Sequence, residues 1–110
     1  MAIVNTTIGA TDTTILTVPA GKKFAVTTIL VCNTSTNDGS GIGDTSFDMH
    51  VVVNGDAKGS DNQVLNDLDV PSADTFTFNV ERLVLEEGDR IIMVGAPPTN
   101  LSVTLSYLEV

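Results

Sequence analysis

Apolar residues in this chain recur at every second position in short runs broken by Gly, Pro, Asn and Asp, the pattern of half-buried β-strands. The longest run, Lys22 to Asn33, contains no Gly or Pro. It is opened by the turn Val18-Pro19-Ala20-Gly21, in which Pro19 fixes φ and Gly21 closes the turn. At about 3.3 Å per residue, such a run reaches about 40 Å, whereas a compact chain of this length has a radius of gyration of about 13 Å. This strand therefore crosses the whole molecule, bends at a bulge or projects at one end, and is expected to be central. Its even positions, Phe24, Val26, Leu30 and Cys32 with Thr28 among them, share one face. Ala25, Thr27, Ile29 and Val31 share the other, so the C-terminal half is apolar on both sides and is expected to be covered on both.

The other segments are shorter. Ala2 to Ile8 and Thr13 to Val18 are strand candidates joined through Gly9-Ala10-Thr11-Asp12. Asn33 to Ser46 is a polar, glycine-containing surface loop. In the next strand Phe47, Met49, Val51 and Val53 alternate against Asp48, His50, Val52 and Asn54. Gln63 to Val70 is ambiguous: Val64, Leu68 and Val70 fit a strand, and Val64, Leu65 and Leu68 fit one helical turn; a strand is preferred. Phe76, Phe78 and Val80 alternate after the turn Pro71 to Asp74. Leu83 to Leu85 and Arg90 to Val94 flank Glu86-Glu87-Gly88-Asp89, whose glycine suits a short hairpin. The last strand places Leu101, Val103, Leu105 and Tyr107 inward, with a phase slip expected at Tyr107-Leu108. Eight or nine short strands and no convincing helix predict one all-β domain over residues 1–110. The expected form is a single antiparallel β-sandwich of jelly-roll or immunoglobulin-like type.

Composition narrows the function. Apolar residues are 42% of the chain and charged residues 17%, which fits a folded domain, and the 5% aromatic share leaves the core to Val, Ile and Leu. The net charge of −9 would repel phosphate backbones, which argues against nucleic-acid binding. Eight of the fourteen carboxylates fall between Asp38 and Asp74, as a solvated acidic rim. Nothing approaches the ~20 apolar residues of a membrane span. No signal-peptide pattern precedes Thr6, so synthesis in a cytoplasm and use as a soluble piece are expected.

Candidate chemistry is sparse. Cys32 is the single cysteine and is expected to be a packed thiol; His50, the single histidine, falls on the polar face of its strand. No G-x-S-x-G elbow and no phosphate-loop fingerprint occur, and no carboxylate pair stands in an apolar context, so an enzyme and a resident cofactor are not expected. The one metal candidate is a Ca²⁺ site on the loop from Asn37 to Asp44, with Asp38 and Asp44 as ligands, although the spacing is not an EF-hand. More informative are Ile29, Val31, Val52, Ile92 and Val94, apolar residues opposite positions already assigned to a core. Either twist, bulges and covering loops bury them locally, or they form an exposed interface patch for self-association or docking on a large partner.

The run Thr17 to Thr34, with its Pro-Ala-Gly turn and a strand ending in Asn before a variable loop, resembles the opening of small β-sandwich virion proteins of tailed bacteriophages. Leu83-Val-Leu-Glu-Glu-Gly-Asp-Arg-Ile-Ile-Met-Val94 resembles their second recurring element, a Leu-x-x-Gly-Asp turn followed by an apolar strand. The resemblance implies a structural role in a virion, as a capsid cement or decoration protein or a tail component. Its partners would be the major capsid protein or another virion protein, and further copies of itself in a homo-oligomer such as a trimer. The alternative is a tail-associated module that binds a glycan or receptor through loops 33–46 and 54–62.

Overall fold

A computed structural model describes residues 2–36, 39 and 41–110, with the side chains of 79–82 left out. Eight strands are present among the described residues: β1 (Ala2–Thr7), β2 (Thr13–Thr17), β3 (Phe24–Asn33), β4 (Thr45–Val52), β5 (Gln63–Val70), β6 (Thr75–Leu85), β7 (Arg90–Gly95) and β8 (Leu101–Glu109). A single 3-10 turn, Ser60–Asn62, precedes β5. The strands form two four-stranded sheets in the orders β1-β8-β3-β6 and β2-β7-β4-β5, with every neighbour antiparallel. Apart from the β4–β5 hairpin, each connection passes from one sheet to the other. That winding makes a jelly roll and decides between the two expected sandwich types.

The molecule measures 48 × 28 × 19 Å, and β3 bends within it. Between Val26 and Thr28 the register of β3 shifts against both neighbours, leaving Thr27 as an extra residue relative to β8. The Thr27 hydroxyl donates to the Ser106 carbonyl at 3.1 Å and also bonds the Ser106 hydroxyl. The bulge reverses the phase of the strand. Phe24 and Val26 are buried before it, Ile29 and Val31 after it, while Leu30 and Cys32 turn outward. The even face expected from the sequence is therefore corrected at its midpoint.

Bulges also explain the other irregular segments. Leu65 and Leu68 both pack on the core although three residues apart, because β5 pairs Leu68 with Phe47 and Leu65 with Met49, with Asn66 and Asp67 left over. Asp67 takes φ +53°, its N–H donates to Asp48 Oδ1 and its Oδ1 accepts from the Ser46 hydroxyl. Val64 is exposed, and the helical spacing in this segment is the trace of a bulged strand. Phe76 to Leu85 runs as one strand rather than two. No slip occurs at Tyr107-Leu108: Tyr107 packs against the core, its ring centroid 4.3 Å from that of Phe24, and Leu108 faces out opposite Ala25.

The core between the sheets is built from Val26, Ile29, Val31, Phe47, Met49, Ile91, Met93, Val103 and Leu105, each almost fully buried. Because the phase of β3 decides which side chains reach it, substitution distinguishes the bulged strand from an unbroken one. Ile29→Ala is expected to cost about 2–4 kcal/mol by cavity formation. Leu30→Ala, on the outer face, should cost under about 1 kcal/mol. Urea unfolding of the two variants checks the order, which an unbroken strand would invert.

Candidate interaction face

Four of the five residues expected on spare outer faces lie inside the molecule. Ile29 and Val31 belong to the main core because of the Thr27 bulge. Val52 and Ile92 are on the outer side of the β2-β7-β4-β5 sheet, yet their relative exposures are 0% and 6%. Residues 53–62 account for this. The segment leaves the end of β4 and is held over β7, with the Asp56 carbonyl accepting from Arg90 Nη2 at 2.8 Å and Lys58 reaching Asp12, next to β2, at 2.6 Å. His50, paired with Ile92, is buried in the same place rather than solvated on a polar face. Val94 is half-buried. These five residues do not form an exposed patch, and the interface expected at them is corrected on that ground.

The acidic loop holds the candidate Ca²⁺ ligands Asp38 and Asp44. Asp44 Oδ1 accepts from the Ser72 N–H at 2.9 Å, which ties the loop to the β5–β6 turn. Asp38 lies outside the described residues. Among the described residues no three His, Cys, Asp or Glu side chains stand close enough to hold a metal ion. What fixes the base of this loop is Asn33, the buried last residue of β3. Its Nδ2 donates to the Gly43 and Val70 carbonyls at 2.7 and 2.9 Å, and its Oδ1 accepts from the Ser35 N–H. Asn100 adds a second link, its Nδ2 donating to the Gly43 carbonyl and to the Ser35 hydroxyl.

At the opposite end two turns that are far apart in sequence form one unit. Val18 N–H donates to the Asp89 carbonyl at 3.0 Å, Gly88 N–H donates to the Val18 carbonyl at 2.9 Å, and Gly21 N–H donates to Glu87 Oε1. Asp89 then caps its own hairpin, accepting from Glu86 N–H and from Asn54 N–H. Gly88 is required twice over: its φ is +82°, and a Cβ there would come within 2.3 Å of the Asn54 side chain.

The outer side of the β1-β8-β3-β6 sheet is a broad surface across which no loop is tied among the described residues. It is built in registered rows: Thr7, Ser102, Cys32 and Thr75 in one, Asn5, Thr104, Leu30 and Thr77 in the next, then Ile3, Ser106 and Thr28. Ala25, Val84 and Leu108 continue it beyond the bulge. Among the described side chains none of these outer positions is charged, in a chain of net charge −9. Cys32 is half-buried on this face, its Sγ 3.7 Å from the Asn33 carbonyl, rather than packed in the core. The sequence signal for the face was present as alternation: Ser102, Thr104 and Ser106 mark the outer side of β8. Reading it across four strands needed the register.

Compared with known proteins, the chain matches no family model, no curated protein and no solved structure.

The two polar staples are open to test. Asn33→Ala removes three hydrogen bonds, one of them to the Val70 carbonyl in a buried setting, an expected loss of about 2–4 kcal/mol. Asp89→Ala frees two exposed-side N–H groups and should cost about 1–2 kcal/mol. Thermal melts of both variants against the parent chain measure the difference, and equal losses would contradict the assignment of Asn33 as the more buried staple.

Proposed function

We propose that the chain is a non-enzymatic virion structural protein of a tailed bacteriophage, a capsid cement or decoration protein that binds and stabilises neighbouring shell subunits. The observation that carries this reading is the joining of the two turns. The segments Thr17–Thr34 and Leu83–Val94, on which the resemblance to such virion proteins rests, meet through paired backbone hydrogen bonds at Val18, Gly88 and Asp89. Two local turn signals could arise independently in any β-protein. A pair that also packs as one unit is less readily produced by turn chemistry alone. The jelly roll adds support by analogy, since capsid domains use this architecture, although the same fold also serves lectins and cupins.

In this role the sandwich acts as a rigid body laid across a junction between shell subunits, where added contact area opposes the internal pressure that separates them. The acidic loops face solvent and keep unbound copies soluble. The partner is the major capsid protein or another virion protein. A glycan- or receptor-binding tail module has less support, because one of the two loops it would use, 54–62, is tied down over the outer side of the β2-β7-β4-β5 sheet.

Quantitative mass spectrometry of purified phage particles should find the chain in a fixed ratio to the major capsid protein. Shells stripped of it should rebind the purified chain on co-sedimentation and disassemble at a higher temperature when it is bound. Absence from the particles, or failure to pellet with stripped shells, would overturn the capsid reading. Recovery with detached tails alone would move the protein to the tail.

A further inference from the structure

We propose that the outer face of the β1-β8-β3-β6 sheet docks on the same face of a second copy of this chain, giving a twofold dimer. The occupant follows from charge, chemistry and shape. Two molecules of net charge −9 repel one another on approach, least where the surfaces that meet carry no charge. The described side chains in the rows of this face carry no charge, so a basic, acidic or phosphate-bearing partner would find no charged group among them to pair with.

Hydroxyl groups are both donors and acceptors, so a face of Ser102, Thr104, Thr28 and Thr77 can satisfy an identical face, which a carboxylate or ammonium array cannot do. Leu30, at the centre of the face with 36% relative exposure, supplies the apolar contact. Two sheets of the same hand of twist also nest against each other, with strand directions about 30° apart. Four strands about 4.8 Å apart and about eight residues long offer roughly 500 Å² per copy, so the pair reaches about 1,000 Å², the lower bound of a specific interface. The contact is accordingly weak and reversible.

A twofold dimer presents each of its remaining surfaces twice. A protein that binds one shell subunit per copy then bridges two, and linkage of the two sites raises its hold on the shell without any new contact. That bivalency rests on the virion reading; the dimer itself does not.

Sedimentation equilibrium of the full chain tests the proposal. The parent protein should be dimeric near ~100 µM and dissociate on dilution. Leu30→Asp sets two like charges near the twofold axis and should weaken association at least about tenfold. Thr77→Asp, at an exposed position of an edge strand, serves the same purpose should Leu30→Asp disturb folding, which circular dichroism reports. Val53→Asp, at an exposed apolar residue away from this face, should leave the dimer unchanged. A parent chain that stays monomeric at ~100 µM, or a dimer indifferent to both face variants, overturns the proposal. A monomeric chain that binds stripped shells through Leu30 assigns the face to the shell instead and also overturns it, while leaving the virion reading intact. A dimer found in a protein absent from phage particles does the reverse.

Discussion

The structure depends on one extra residue, Thr27, in a strand that is hydrogen-bonded on both sides. Its effect is to choose between two nearly balanced cores. An unbroken β3 would turn Leu30 and Cys32 inward; the bulged strand turns Ile29 and Val31 inward instead. In apolar area the two sets are close, since each full aliphatic burial is worth about 1.5–3 kcal/mol and both choices bury a similar total. Polar groups break the tie. The unbroken phase would bury the Thr28 hydroxyl, at about 1–3 kcal/mol if it is left unpaired. It would also swing Asn33 away from the Gly43 and Val70 carbonyls that it bonds. The bulge avoids both costs and gives its own Thr27 hydroxyl a partner at Ser106.

This near-degeneracy is why the central strand could not be phased from its pattern alone. Where one face is plainly richer, as in Leu101, Val103 and Leu105 against Ser102, Thr104 and Ser106, alternation and structure agree residue for residue. Where both faces are apolar, a one-residue shift leaves the hydrophobic count almost unchanged, and the decision passes to long-range hydrogen bonds. In β5 the same device misleads in another way: Leu65 and Leu68 look helical because of the bulge between them, where Asp67 is latched to Asp48 and Ser46, which lie far away in sequence. The all-β class and the sandwich were legible throughout, because strand spacing and turn chemistry are local. Strand order was not, and it is strand order that makes this a jelly roll.

The expected interface failed for a related reason. Val52 and Ile92 are apolar on an outer face, but the segment after β4, read from the sequence as a loop over 54–62, covers them by anchoring to Arg90 and Asp12. Each anchor is a surface contact of small individual worth. Together they hold a segment that shields two aliphatic side chains and an imidazole. An excess of apolar residues on second faces therefore measured how much of this sheet its own connections cover. The surface left uncovered by loops is on the other sheet, and it is marked by missing charge more than by added hydrophobicity.

That distribution of charge also limits how copies can meet. A jelly roll has four sheet edges, and an unprotected edge invites strand pairing between molecules. Along β5 the bulge at Asp67, with φ +53°, breaks the row of backbone groups, and Asp67 and Asp69 place carboxylates on the strand. β1 and β2, the edge strands at the other side of the sandwich, are short, at six and five residues. Edge-to-edge growth would need to overcome these features at every step. At physiological salt the Debye length is ~8 Å, so charges at the loops and edges are screened beyond that distance. Repulsion thus guards the routes that lead to open-ended aggregation and is weakest over the one broad face whose pairing closes after a single contact.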